Sequence, residues 1–143
     1  MGSFADYLEN KVLDHVLGGP DYSRPATVYM GLSTSTITDA GGNITEPVGN
    51  NYSRVAITNN DTNFPAASGG AKSNGTAITF PTPSGDWGTI TDYFIADAAT
   101  DGNILAAGVL GYMDGENFVP DPQTINNGNI VTFSTGDLIF SLT

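Results

Sequence analysis

The chain has 143 residues, of which 39% are hydrophobic and only 13% are charged, with 18 glycines and 8 prolines. This composition is typical of a single domain built from short strands and tight turns. Fifteen acidic and four basic residues leave a net charge of −11, which argues against nucleic acid and anionic membranes as partners. The chain contains no cysteine, so disulfide bonds and thiolate metal sites are excluded.

The first twenty residues carry the main helical pattern of the chain. Ser3 is a plausible N-cap, with the acidic Asp6 three residues later, and Gly18-Gly19-Pro20 is a strong stop signal. This pattern predicts an amphipathic helix within residues 1–20, followed by a β-domain over residues 21–143 that completes one structural domain.

One face of the predicted helix is apolar. Leu8, Val12 and Val16 recur at helical spacing, while polar residues occupy most of the remaining positions. An apolar stripe needs a surface to cover, which is either the domain's own sheet or a neighbouring chain. We therefore treat these three residues as candidates for docking onto a partner.

After residue 20 the apolar period changes to two, which predicts β-strands. Asp101-Gly102 favours a type I′ turn, so residues 89–110 are predicted to form a β-hairpin, and residues 135–137 are predicted to close a second one. Two irregular runs, 38–50 and 59–75, are either functional or flexible loops. The predicted strands are 26–33, 52–58, 76–81, 89–99, 104–110, 129–134 and 138–142. The fold class is therefore mainly β, an antiparallel β-sandwich or barrel-like domain of about seven strands with one N-terminal amphipathic helix.

No residue pattern favours catalysis. His15 is the only imidazole, and no Gly-x-Ser-x-Gly motif occurs, so a solvent-facing helical histidine is favoured over a catalyst. Many acidic residues lie in turn sequences such as Asp101-Gly102, where the side chain caps the backbone. Segment 97–103 faintly resembles a calcium loop but lacks its ligand spacing. We expect no enzyme activity, no cofactor and no metal site.

Aromatic and basic residues have two interpretations each. Trp87, Tyr93 and Phe94 could form a sugar-stacking platform, but their strand pattern favours core packing. Arg54 lies in a predicted strand and is expected to form a salt bridge, either within the fold or to a partner subunit.

Several segments together resemble a known family. They are "YLENKVLDHVLGG", "PATVYMGLST", "TEPVGNNYSRVAI" and "ITFPTPSGDWGTITDYFIADAATDGNILAAGVL". The combination is similar to small virion proteins of tailed bacteriophages, labelled tail fibre-like or head decoration (cement) proteins. The likeness runs from about residue 7 to the C-terminus and is most specific in "EPVGNNYSRV" and "DWGTITDYFIADAATDGNIL".

The resemblance implies a β-sandwich-like domain displayed in many copies on a particle, as a homo-oligomer with a trimer favoured. The leading hypothesis is a capsid decoration protein that binds the major capsid protein and stabilises the mature head shell. The alternative is a tail-fibre or baseplate component that recognises a host glycan through loops 38–50 and 59–75. A carbohydrate-active enzyme is a third class and would need two acids in one cleft. We expect synthesis in the host cytoplasm and location in the virion, on the capsid surface or, alternatively, on the tail.

Overall fold

A computed structural model describes residues 1–142. Over this range the chain forms one α-helix and thirteen strands. In chain order these are β1 (Gly2–Phe4), α1 (Asp6–Val16), β2 (Thr27–Ser33), β3 (Val55–Thr58), β4 (Ala71–Ser73), β5 (Ile78–Thr79), β6 (Gly88–Ile90), β7 (Asp92–Ala96), β8 (Ile104–Val109), β9 (Gly111–Asp114), β10 (Asn117–Pro120), β11 (Gln123–Ile125), β12 (Thr132–Phe133) and β13 (Ile139–Ser141). The last residue of the predicted β-domain, Thr143, lies outside the described residues.

The principal sheet has seven strands in the order β3-β2-β7-β8-β1-β13-β4. All neighbours are antiparallel except β1 and β13, which run parallel. Three two-stranded ribbons, β9–β10, β6–β11 and β5–β12, complete the fold. The predicted fold class, mainly β with one short N-terminal helix, is confirmed.

The core lies on one face of the principal sheet, because side chains alternate between the faces of a strand. Val28, Met30 and Leu32 of β2 point into it, as their spacing predicts. Ribbon and loop residues such as Phe80 and Trp87 cover this face from the other side. Tyr52, Phe80 and Trp87 contact one another through their rings, with Tyr52 perpendicular to Trp87 at a centroid distance of 5.2 Å.

The start of the helix differs from the prediction. Ser3 does not cap α1 but lies in β1, where it pairs with Ala107 of β8 and Ser141 of β13. The N-cap is Ala5, which makes no side-chain capping bond. The backbone of residues 2–4 pairs with β8 on one side and with β13 on the other. This tertiary pairing overrides the local preference of Ser3 for the N-cap position.

The predicted strand over residues 89–99 is interrupted at Thr91. The amide of Thr91 donates to the Ser33 carbonyl, and its own carbonyl accepts from the Leu110 amide. β6 therefore turns away to pair with β11, whereas β7 stays in the principal sheet between β2 and β8.

The second predicted hairpin is wrong, because β12 pairs with β5 and β13 lies between β1 and β4. The buried Asn74 explains the separation. Its Nδ2 donates to the Ser134 carbonyl at 2.9 Å, and its Oδ1 accepts from the amides of Gly136 at 3.1 Å and Leu138 at 3.0 Å. These bonds from Asn74 fix the turn over residues 134–138, so that β12 and β13 lie in different sheets.

Two Asp-Gly pairs lie where a β-hairpin reverses direction. At the predicted position between β7 and β8, Asp101 and Gly102 have positive φ values of 51° and 78°, within a loop over residues 97–103 rather than in a two-residue turn. Gly115 and Glu116 follow Asp114 and form the two-residue turn between β9 and β10, and the sequence analysis missed the two strands that flank it.

Candidate docking surfaces

Helix α1 is attached to the principal sheet at its N-terminal end. The Ala5 amide donates to the Leu105 carbonyl at 2.9 Å, and the Asp6 amide donates to the Asp39 carbonyl at 3.1 Å. Leu8 is half-buried and packs against the core, in an apolar hollow that Leu105 and Phe140 also line. The first turn of the helix thus covers part of its own sheet.

The C-terminal end of α1 presents apolar side chains to solvent. Of the three predicted docking residues, Leu8 and Val12 are half-buried and Val16 is 68% exposed. Leu13 and Leu17 are exposed beside Val16, and Leu17 reaches 77%. We name Leu13, Val16 and Leu17 the helix-end patch. Leu13 and Leu17 are not among the predicted docking residues, because helical periodicity does not show which turn of the helix leaves the sheet.

A second exposed apolar surface lies at the β9–β10 hairpin. Tyr112 and Met113 are about half exposed and border a groove of about 540 Å³ whose other wall includes Ile139. Tyr93 lies in the floor of this groove, and its buried hydroxyl has no hydrogen-bond partner among the described residues. Burial raises the pKa of Tyr93 above its ordinary value.

Arg54 forms an ion pair inside the fold, as one of the two predicted alternatives requires. Its Nη2 and Nε donate to the two carboxylate oxygens of Glu46 at 2.8 and 3.0 Å, and Nη1 donates to the carbonyls of Ala98 and Asp101 at 2.8 Å each. The guanidinium lies 4.9 Å from the ring centroid of Phe94. Only 6% of the Arg54 side chain is exposed. This contact joins segment 46–55 to segment 86–105, the two segments that carry the family resemblance most specifically.

The aromatic residues confirm the core interpretation. Trp87, Tyr93 and Phe94 are all buried, and Trp87 Nε1 donates to the Asn50 carbonyl at 2.9 Å. Phe94 lies on the outer side of the principal sheet, where it faces Gly31 across the strand pair. A Cβ at Gly31 would lie 2.2 Å from the Phe94 ring, so glycine is required there.

The two irregular runs differ in how they are held. In run 38–50, Glu46 accepts hydrogen bonds from Arg54, and Asn50 Nδ2 donates to the Asp86 carbonyl at 2.9 Å. In run 59–75, Asn63 anchors the chain to the β5 side by accepting from the Thr76 hydroxyl at 2.7 Å. Residues of this second run border an open groove.

Helical His15 is about half exposed, as predicted, and its Nδ1 accepts from the Tyr22 amide at 3.2 Å. Within residues 1–142 no group of three or more His, Asp or Glu side chains is placed to hold a metal ion. No helix in that same range is long and apolar enough to cross a membrane.

Comparison with models of protein families finds a match over residues 3–141 to the family described as "Podophage GP4 fiber I protein gp80". The matched range includes the helix, the principal sheet and the three ribbons. No curated protein matches the chain.

Proposed function

The chain belongs to the family of the podophage GP4 fiber I protein gp80, and we propose that it is a fibre component of a tailed-phage particle that contributes to host attachment. Family membership makes the chain a structural protein of the phage virion. The observation that carries the proposal is the match itself, which spans nearly the whole chain and names a fibre protein.

The shape of the chain supports one role within a fibre. A fibre shaft is typically built from sequence repeats or heptads, and this chain has neither. Its principal sheet and ribbons enclose one hydrophobic core. We propose that the chain is a globular module of the fibre with a structural and binding role and no enzymatic activity.

The decoration hypothesis makes a different claim about the same virion. A decoration protein covers the head lattice in many copies and stabilises the expanded shell by binding it preferentially. Its partner would be the major capsid protein. The name of the matching family favours the fibre over this alternative, and capsid decoration stays a prediction.

We propose the helix-end patch as the surface that docks onto the particle or onto a sister subunit. Leu8, predicted from the sequence as a docking residue, is half-buried and packs against the core, and its docking role stays a prediction. Val12 continues the apolar stripe towards Val16, so both remain in the proposed contact. A homo-oligomer is proposed on the same grounds, since self-association would bury three exposed apolar side chains, and the favoured trimer stays a prediction.

Deletion of the gene distinguishes the two roles. Particles that lack a fibre component should retain filled, intact heads but adsorb poorly to host cells, and supply of the protein in trans should restore adsorption. A decoration protein predicts the opposite, heads that lose DNA on heating while adsorption stays normal. The latter result would contradict the fibre proposal.

A further inference from the structure

Two of the four basic residues of this acidic chain line one groove. Arg24 and Lys72 border a cleft of about 460 Å³, within the range typical of small-ligand sites. The groove is also lined by Asn59, Asn60, Asp61, Phe64 and Ala66. All five of these residues belong to the irregular run 59–75 that follows β3. The groove is therefore a local concentration of positive charge on a molecule of net charge −11.

The two cations are not committed to carboxylates. Arg24 makes no side-chain hydrogen bond or ion pair to any residue within 1–142. Arg54, in contrast, binds the Glu46 carboxylate and backbone carbonyl groups. Lys72 Nζ donates one hydrogen bond, to the Pro65 carbonyl at 2.7 Å. Asp61 lines the same groove but pairs with neither cation within 4.0 Å. A guanidinium and an ammonium thus remain available for an anion.

The groove also offers both kinds of hydrogen-bonding group. Asn59 Nδ2 donates to the Pro25 carbonyl at 2.9 Å, and Asn60 Oδ1 accepts from the Asn63 amide at 2.9 Å. These bonds fix the two side chains and leave Asn59 Oδ1 as an acceptor and Asn60 Nδ2 as a donor. A fixed donor and a fixed acceptor match the hydroxyl groups of a sugar.

An apolar surface adjoins these polar groups. Phe64 and Lys72 line the groove and also the apolar hollow of about 180 Å³ that Leu8, Leu105 and Phe140 border. An aromatic ring beside an apolar hollow fits the C–H face of a sugar ring. Cations, fixed amides and an apolar face therefore meet in one place.

We infer that this groove binds an acidic sugar, a saccharide unit that carries a carboxylate or a phosphate. Nucleic acid is disfavoured because its continuous negative charge would meet the acidic remainder of the surface. The biological source of the sugar, a host surface glycan, rests on the proposed attachment function. The binding itself is a property of the isolated chain and is testable without the particle.

The test is a ¹H–¹⁵N NMR titration of the isolated protein with methyl glucuronide and with glucose 6-phosphate, each to about 10 mM, which detects a Kd of about 1 mM. Neutral methyl glucoside, sodium acetate and inorganic phosphate serve as controls that carry only the sugar or only the charge. We expect the amides of Asn59, Asn60 and Phe64 to shift with one or both acidic sugars. The acid that binds more tightly identifies the anionic group.

Arg24→Gln and Lys72→Gln should each weaken binding about tenfold or more while the rest of the spectrum is unchanged, because both side chains are exposed. Lys11→Gln is the matched control, since it removes one charge from α1 outside the groove. The inference is overturned if no acidic sugar shifts the groove, if a control compound binds equally well, or if Lys11→Gln has the same effect. It is also overturned if the groove amides shift with protein concentration alone, which would indicate that a second copy occupies the groove.

Discussion

Arg54 joins two segments of the chain that are more than forty residues apart. Its five donors form a planar fork that can bind a carboxylate on one edge and carbonyl groups on the other. Here the fork binds Glu46 and the carbonyls of Ala98 and Asp101, and the face of the guanidinium covers Phe94. A lysine offers one charged nitrogen and cannot make these contacts together.

Arg54→Lys should therefore lower the free energy of unfolding by about 2 to 4 kcal/mol, because it leaves Glu46 and two carbonyl groups incompletely bound. Urea denaturation monitored by circular dichroism measures the change. Arg24→Lys is the matched control, because Arg24 is exposed and has no side-chain partner among residues 1–142, and it should change stability by less than about 0.5 kcal/mol. Equal stability of the two variants would contradict a structural role for Arg54.

Tyr93 is buried and Tyr52 is half-buried, and their hydroxyl groups differ in their hydrogen bonds. Tyr52 Oη donates to Glu46 Oε1 at 2.8 Å and accepts from the Leu32 amide at 2.9 Å, whereas the Tyr93 hydroxyl has no partner among residues 1–142. Tyr52→Phe should cost about 1 to 3 kcal/mol at neutral pH, since it leaves a buried amide without its acceptor. Tyr93→Phe should be neutral or stabilising in the same urea titration. A larger loss for Tyr93→Phe than for Tyr52→Phe would contradict these contacts.

Burial raises the pKa of both tyrosines in the folded protein, while in the unfolded chain a tyrosine ionises near pH 10. Above about pH 10 the unfolded state loses these protons and the folded state keeps them. The contribution of each tyrosine to the free energy of unfolding should therefore be fully present below about pH 10. Above that pH it should decrease by about 1.4 kcal/mol per pH unit. Urea denaturation between about pH 8 and pH 11 should show this decline in the wild type and a smaller one in Tyr93→Phe. An identical pH dependence in both proteins would contradict the raised pKa of Tyr93.

At the scale of elements, helix α1 has two ends with different surroundings. The first turn is bound to β8 and to run 38–50, and the last turn carries the helix-end patch. Because Val16 and Leu17 are exposed, charges at these positions do not disturb the core.

Val16→Asp combined with Leu17→Asp should leave the free energy of unfolding within about 1 kcal/mol of the wild type. Incorporation into particles should fall strongly if the helix-end patch docks, as measured by quantitative mass spectrometry of purified virions. Val48→Asp is the control, since Val48 is 91% exposed on run 38–50. Normal incorporation of the double variant would exclude the patch as the docking surface.

Element prediction succeeded where a strand has a long period-two pattern and failed where pairing is decided at a distance. Strand β2 and the β7–β8 hairpin follow from alternation and from Asp101-Gly102. Strands β1 and β4 have three residues each, too few to show a period. The separation of β12 from β13 depends on Asn74, sixty or more residues away, and no local pattern contains that information.

At the scale of the whole molecule, the same limit applies to the candidate sites. The residues of the apolar stripe on α1 were identified from their spacing, but their exposure depends on where the helix leaves the sheet. The groove lined by Arg24 and Lys72 was not predicted, because these residues lie far apart in the sequence and border one groove only in the folded chain. The spacing of apolar residues in the sequence identifies one face of a helix. A groove formed by distant residues can be recognised only when the topology of the strands is known.

The acidic surface is a property of the whole molecule with a consequence for assembly. A net charge of −11 on 143 residues favours solubility and opposes close contact between copies through charged surface. Under the proposed function, contacts with the particle should therefore use apolar patches, and the groove of Arg24 and Lys72 is open to an acidic ligand.

The central claim is that the chain is a fibre component, and its location and copy number in the virion test this most directly. We would determine both by cryo-electron microscopy of purified particles, with copies per particle counted by quantitative mass spectrometry. The fibre proposal predicts a small, fixed number of copies confined to the tail or neck. Hundreds of copies that follow the lattice of the head would contradict it and establish capsid decoration instead.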